Sequence, residues 1–216
     1  MTSPEPWTWP TEYNLGSDLA AMRLGLVGNG RIGRAMARMA NGFRMKLLCF
    51  DPYVSASDMR AQNIEKVNSI DELCSRVDAL SIHCVRNDET EGLLTEQHIA
   101  RLPSHALVVN VSRGEIVDEH ALVAAVQRGE LGGIGIDVFR REPLERGSDH
   151  VFEPLLDRDD CIFTPHLAFW TKEALHRLET EALERCIEAL DGRPLRVLSD
   201  DPRLRSQSSP GLVVFD

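Results

Sequence analysis

The sequence predicts an α/β fold, a doubly wound parallel sheet forming a single domain with an arm at each end. Two observations carry this prediction. Short, continuous apolar runs recur along the chain with helical stretches between them, the pattern of strands covered on both faces. The first run also ends in a glycine-rich turn that opens a helix. The apolar runs are residues 24–27, 47–50, 79–84, 106–111, 134–138 and 161–163. Between them, residues 31–41 read as a helix with Ile32, Ala35, Met36 and Met39 on one face. A shorter helix is expected near 69–76, and another over 118–128 with Asp118 as its N-cap. Residues 171–190 form the longest helical stretch. Their apolar stripe runs through Ala174, Leu175, Leu178, Ala182, Leu183, Cys186, Ile187 and Leu190, and Gly192 follows as a stop signal.

The arms read differently. Residues 1–22 carry Pro4, Pro6, Pro10, Trp7 and Trp9 and are expected to form an extended arm docked through its tryptophans. Residues 23–192 form the expected domain. Residues 193–216 form a polar tail, part of it without fixed structure and patterned only over 211–215.

The chain has 216 residues, with 24 Lys+Arg against 34 Asp+Glu and a formal net charge of −10. An acidic chain of this kind is a poor binder of nucleic acid or of anionic membranes, which select basic surfaces. No apolar run is long enough to span a bilayer. The opening MTSPEPWTWP has neither a basic nor an apolar segment of signal-peptide type, so a cytoplasmic location is expected. The five cysteines (Cys49, Cys74, Cys84, Cys161, Cys186) are odd in number and widely spaced. That suits reduced, buried thiols and offers no zinc-ligand spacing, so no metal site is expected.

The turn Gly28-Asn29-Gly30-Arg31-Ile32-Gly33 has the context of a dinucleotide fingerprint. It follows a strand, opens a helix, and is followed 18 residues after Gly33 by Asp51 at the end of the next strand. Gly28 suits the tight turn, Gly30 a close approach of backbone to a pyrophosphate, and Gly33 close packing of helix on strand. The helix N-terminus at Arg31 and Ile32 offers unpaired N–H groups to phosphates. Asp51 can accept from ribose hydroxyls and would repel a 2′-phosphate. Pro52 and Tyr53 follow it rather than an arginine, so NAD is expected in preference to NADP. The fold is therefore expected to be of Rossmann type. The plainer reading, three glycines in an ordinary strand-to-helix turn, does not account for the placement of Asp51.

Three more segments end at the same sheet edge, where ligands of such folds bind. They are Val111-Ser112-Arg113, the stretch from Asp137 to Glu142, and Thr164-Pro165-His166. Each chemical residue also has a plainer reading: Arg113 as a loop cap, Glu142 as one charge in an acidic loop, His166 as a satisfied loop histidine.

Together the segments GLVGNGRIG, DPY, SIHC, NVSRGEIVDEHAL, GIDVFRREPL, PLLDRDDCIFTPHLA and DGRPL resemble the D-isomer-specific 2-hydroxyacid dehydrogenases. The resemblance runs from Leu24 to Pro194. It implies NAD-dependent hydride transfer to or from a small 2-oxo or 2-hydroxy acid. It assigns Arg113 to the substrate carboxylate and keto oxygen, His166 to the hydroxyl proton, and Glu142 to pairing with His166. It places Asp137 at the nicotinamide carboxamide. It also adds His83, Cys84, Val111, Ser112 and Pro52 to the cofactor's surroundings, where Arg113 and His166 are expected to contact the cofactor as well, with His83 a structural residue or a neighbour rather than a proton carrier. His98, His105, His120, His150 and His176 are expected at the surface.

The same family normally has an N-terminal substrate domain and a linking helix, and neither is expected within these residues. Val85 stands where many relatives have proline. Phe169 and Trp170, bulkier than the small residues common there, are expected to fill vacated space. Apolar surface bared in this way is expected to form an oligomer contact, such as a homodimer, through the N-terminal arm, the helix 171–190 and the segment 211–215, or to be covered by a partner chain. Two other functions remain open at this point. One is a non-redox tailoring enzyme or cyclase using the His–Glu pair. The other is a non-catalytic NAD-binding interaction module or half of a split enzyme.

Overall fold

The computed structural model describes residues 16–193 and the backbone of residues 195–198 and 212–215. Seven parallel strands form one sheet: β1 (Arg23–Val27), β2 (Lys46–Phe50), β3 (Ile64–Lys66), β4 (Ala79–Ile82), β5 (Leu107–Asn110), β6 (Gly133–Ile136) and β7 (Cys161–Phe163). Their order is β3-β2-β1-β4-β5-β6-β7. The chain winds outward from β1 in one direction, returns, and winds outward from β4 in the other. The two directions separate between β1 and β4, which creates the crevice where doubly wound sheets bind ligands.

The helices are α1 (Arg31–Gly42), α2 (Ala56–Arg60), α3 (Ile70–Cys74), α4 (Glu96–Ile99), α5 (Glu119–Gln127) and α6 (Lys172–Leu190). Short polar side chains start four of them. Ser55, Ser69, Asp118 and Thr171 each accept a hydrogen bond from a first-turn N–H. One core lies between the sheet and α3, α4 and α5, around Leu73, Leu80, Ile82, Val108, Ile116 and Leu122. The second lies under α1 and α2, around Leu24, Leu26, Ala37, Ala40, Cys49 and Met59.

Several expectations are corrected. The buried face of α1 is Gly33, Ala37 and Ala40, whereas Ile32 is 64% exposed and Met39 is also exposed. Small residues face the sheet because they let the helix axis come close, and the larger apolar residues are turned outward. Strand β3 was not anticipated, since the tripeptide Ile-Glu-Lys buries only Ile64. The end of the supposed extended arm forms a 3-10 turn at Leu19–Ala21, because Asp18 accepts from Ala20 N. Trp7 and Trp9 lie outside the described residues. In the tail, β8 (Leu195–Leu198) pairs in parallel with β9 (Leu212–Phe215), so order extends beyond 211–215. Cys186 is exposed, unlike buried Cys49 and Cys74.

One half of the sheet is uncovered on the α1 side. Leu107 and Ile162 share that face and are exposed, because no helix of the described residues crosses it. The stripe of α6 is equally bare, with none of its residues buried and Leu190 87% exposed. Among the described residues no helix is long and apolar enough to cross a membrane.

At the opposite sheet edge, Asp78 ties three elements together. It accepts from Arg23 N (2.7 Å), Arg23 Nε (3.1 Å), Arg23 Nη2 (2.9 Å) and His105 Nε2 (3.0 Å). Chiefly through the Arg23 hydrogen bonds, its carboxyl is held well below the usual carboxylate range. A depressed native pKa stabilises the fold above the ordinary aspartate value of about 3.9, and this contribution is lost as pH falls below it. We expect Asp78→Asn to cost about 2 kcal/mol at neutral pH, as for hydrogen bonds to a charged group. Urea titrations at pH 7 and pH 3 check this, with the difference between variant and wild type shrinking at the lower pH.

Candidate active site

The crevice begins at the fingerprint turn. Gly28 adopts φ +96°, a left-handed conformation that side chains disfavour, and a Cβ there would stand 2.8 Å from Cys84 N. A Cβ on Gly33 would stand 2.2 Å from Gly28 O, so only glycine permits this contact between α1 and β1. At Gly30 a Cβ would meet nothing within 4 Å. The cradle is therefore open in front of the first turn of α1, where helix geometry leaves N–H groups unpaired. These features fit a pyrophosphate. Asp51 stands at the end of β2 and closes the turn, accepting from Asn29 N (2.8 Å) and Tyr53 N (2.9 Å). The Tyr53 hydroxyl donates to Glu89, which links the loops after β2 and β4.

On the other side of β1, the His83 ring shares a hydrogen bond with Ser81 Oγ (2.9 Å), and burial pushes its pKa down to about 4. It is neutral near pH 7 and suits a neighbouring role rather than proton transfer. Burial likewise pushes the Cys84 thiol up to about 11. Ser112 Oγ donates to Cys84 O and joins the loops after β4 and β5.

After β5, the buried Asn110 shapes the loop that carries Arg113. Its Oδ1 accepts from Ser112 N (3.0 Å) and its Nδ2 donates to Arg113 O (2.9 Å). The Arg113 side chain is exposed and donates through Nη1 to Ser112 O (2.6 Å). Gly114 then packs against the loop after β6, where a Cβ would stand 2.1 Å from Arg140 N. This contact brings Arg113 near Glu142.

Glu142 and His166 meet. His166 Nδ1 lies 3.1 Å from Glu142 Oε2 and 3.2 Å from Oε1. An ionised carboxylate only accepts, so Nδ1 carries the proton and Nε2 is left to exchange one. Glu142 also accepts from Phe139 N (3.1 Å). Burial pushes the Glu142 pKa up, but the hydrogen bonds from His166 and Phe139 and the charges of His166 and Arg113 outweigh it and hold the carboxyl below its ordinary value. Its charge therefore persists to lower pH than that of a free glutamate.

His166 sits at φ +56°, a left-handed conformation held by two hydrogen bonds from its N–H, to Asp137 O (2.8 Å) and Thr164 O (3.0 Å). Asp137 is only 3% exposed. Its carboxylate accepts from Thr164 Oγ1, Leu167 N (2.8 Å) and Ala168 N (2.9 Å). The geometry thus uses Asp137 to anchor the turn of His166, where the sequence suggested a ligand contact. Burial raises its pKa, but these bonds and the charge of His166 prevail and lower it.

The structure brings Arg113, Glu142 and His166 to one edge and places the fingerprint turn, Asp51 and Pro52 along the same edge towards β2. Phe169 and Trp170 fill no cavity: they stack edge-on at 5.7 Å, and Trp170 is 60% exposed. His150, expected at the surface, is buried at 4% exposure against Phe139 and Phe152. Sequence reasoning also missed Asn110, Thr164 and Glu119. Polar residues at strand ends gave a signal for the first two. Glu119 stands in the first turn of α5, where acidic residues are common, so its position alone carries no signal.

Comparison with known proteins follows the same outline. The family model for the D-isomer specific 2-hydroxyacid dehydrogenase NAD binding domain matches residues 3–168. A hydroxypyruvate reductase of Blautia hydrogenotrophica is 34% identical over 182 residues, covering 84% of this chain and 54% of that protein. An (S)-sulfolactate dehydrogenase of Chromohalobacter salexigens is 34% identical, covering 86% of this chain and 58% of that one. A D-lactate dehydrogenase of Aquifex aeolicus, solved in complex with NAD and lactic acid, superposes with a TM-score of 0.78 at 30% identity. It covers 85% of this chain and 58% of its own. The chain thus spans little more than half the length of these relatives, on the part that carries the doubly wound sheet. With its seven-stranded parallel sheet and fingerprint turn, the chain belongs to the D-isomer specific 2-hydroxyacid dehydrogenase family and carries its NAD-binding domain.

Proposed function

We propose that the chain is the cofactor-binding part of an NAD-dependent oxidoreductase that interconverts a small 2-oxo acid and its 2-hydroxy acid. The observation that carries this reading is the Glu142–His166 pair beside Arg113, at the edge where the fingerprint turn opens. NAD, when bound, supplies or receives the hydride at the substrate carbon. The cradle of Gly28, Gly30 and Gly33 with the N–H groups of Arg31 and Ile32 receives the pyrophosphate. Asp51, backed by Pro52, receives the adenosine ribose. His83, Cys84, Val111 and Ser112 line the middle of the crevice.

Arg113 holds the substrate carboxylate and draws charge to the keto oxygen. In reduction, His166 gives its Nε2 proton to that oxygen as the carbon gains the hydride, and in oxidation it takes the proton back. Glu142 keeps Nδ1 protonated and the ring oriented, so that Nε2 faces the substrate oxygen. A nicotinamide contact by Asp137 would come at an oxygen already shared with the turn it anchors. Among the described residues the substrate side is open: Arg113 and Trp170 are exposed and the His166 side chain is partly so. The wall that excludes water therefore comes from another chain or segment.

The test is NADH consumption across a panel of 2-oxo acids, run in parallel with NADPH. Turnover with NADH, and much weaker turnover with NADPH, is the expected result. A folded, NAD-binding sample that reduces none of them, even in the assembly that closes the substrate side, would sink the proposal. The bare stripe of α6 and the uncovered face of β5–β7 support a homo-oligomer, a dimer in the simplest case. Light scattering that returned a clean monomer at micromolar concentration would remove that part.

A further inference from the structure

Two buried titratable side chains lie behind the candidate active site and take no part in the chemistry proposed above. Glu119, in the first turn of α5, is buried, and its Oε1 accepts from Arg140 N at 2.7 Å. His150 is also buried; its Nε2 donates to Arg141 O at 2.8 Å, and its Nδ1 accepts from Phe152 N at 3.3 Å. That pattern fixes one tautomer, because Nε2 can donate to a carbonyl only when protonated. The His150 ring also meets Phe139 edge-on at 5.5 Å.

Three consecutive residues are therefore held from behind. Phe139 is gripped through its ring, which also meets Phe152 and Phe163. Arg140 is held through its N–H and Arg141 through its carbonyl. The next residue is Glu142, and the N–H of Phe139 donates to its carboxylate. Both buried groups are costly to place: Glu119 has its pKa raised, foremost by burial, although the Arg140 N–H and the Arg140 charge oppose this. A buried carboxylate spent on one loop N–H is explained by what that loop must hold still.

We propose that Glu119 and His150 are positioning residues: together they clamp the backbone of Arg140 and Arg141 and so keep the Glu142 carboxylate on Nδ1 of His166. This rests on the reading of Glu142 and His166 as the acid–base pair. Neither clamp residue touches the site. Each acts through one or two residues of backbone, so loosening either lets Glu142 swing off the imidazole. A misplacement of that size is enough to cost catalysis one or more orders of magnitude.

The experiment uses the full chain labelled with ¹⁵N-histidine, with His166 assigned through a His166→Gln spectrum and Glu142→Gln as the reference for a lost partner. Wild type is expected to show a hydrogen-bonded Nδ1 proton on His166. Glu119→Gln, which keeps an acceptor for Arg140 N, should retain it. Glu119→Leu and His150→Phe keep the packing and remove the hydrogen bond, and each should move the His166 signal toward that of Glu142→Gln. If Glu119→Leu does not fold, His150→Phe carries the test alone. A folded Glu119→Leu or His150→Phe with an unchanged His166 signal overturns the clamp, and so does a folded Glu119→Gln that loses the signal. Where turnover is measurable, kcat should fall by about ten- to a hundredfold in the two disrupting variants while the KM for NADH holds. The nuclear resonance readout needs no turnover. An inactive wild type would thus refute the proposed reaction and leave the clamp standing, while an active wild type with insensitive variants would do the reverse.

Discussion

Replacing His166 by glutamine is expected to lower NADH-linked reduction of a 2-oxo acid by about a hundred- to ten-thousandfold, the range lost with a general acid. The side chain is partly exposed and packs in no core, so the fold should melt within a degree or two of wild type. NAD affinity should also be nearly unchanged, because the fingerprint turn lies at the end of a different strand. The combination of lost kcat and retained NAD binding is the diagnostic result. Equal loss of both would mean that His166 supports the site rather than transferring a proton. Glu142→Gln should give a smaller loss. Glutamine can still accept from Nδ1–H, but as a neutral amide it makes a weaker hydrogen bond than a carboxylate and orients the ring less firmly. The ionised form of Glu142 is held below its ordinary pKa by His166, Phe139 N and Arg113 despite burial. The pairing is therefore complete above the ordinary glutamate value, about 4.3, and weakens only as pH falls through the lowered one.

The second large effect separates two glycines of the same turn. Gly33→Ala places a Cβ 2.2 Å from Gly28 O, a backbone atom with nowhere to move without shifting α1. We expect it to destabilise the chain by about 3 kcal/mol, at the upper end for overpacking, which lowers Tm by about 6–12 °C for a domain of this size. NAD binding should be lost with it, because the first turn of α1 moves. Gly30→Ala meets no atom within 4 Å, and its backbone φ of −74° suits any residue. Its stability should therefore be unchanged or slightly higher, since alanine narrows the unfolded ensemble. Its NAD affinity should still fall by at least about tenfold, because the added methyl occupies the space a pyrophosphate needs. Thermal melts and isothermal titration with NAD check both variants. A Gly30→Ala chain that bound NAD normally would remove the phosphate cradle from that position.

Much of the sheet was legible from the chain because parallel strands buried on both faces are written as short, unbroken apolar runs. Six such runs became β1, β2, β4, β5, β6 and β7. Strand β3 escaped, since an edge strand needs only one buried residue, Ile64, to hold its place. The face of α1 was misread for a related reason. Hydrophobicity ranks Ile32 and Met39 above Gly33, Ala37 and Ala40, but close helix–sheet approach is decided by size. The cap at Asp118 was easier, because its side chain acts within three residues of itself.

For the candidate site, sequence alone determined which residues stand at this sheet edge: the three glycines, Asp51, Arg113 and His166. Residues at the carboxyl ends of parallel strands converge whatever lies between them, so strand-end position is sufficient. Only the tertiary structure decided what holds them. Asp137 turned out to anchor the His166 turn, and Glu119 and His150 to grip the segment before Glu142, through hydrogen bonds between residues 21 positions apart in the first clamp contact and 9 in the second. A local pattern cannot announce such contacts, because a buried polar group takes its meaning from the one partner that satisfies it, and that partner is chosen by how the loops pack.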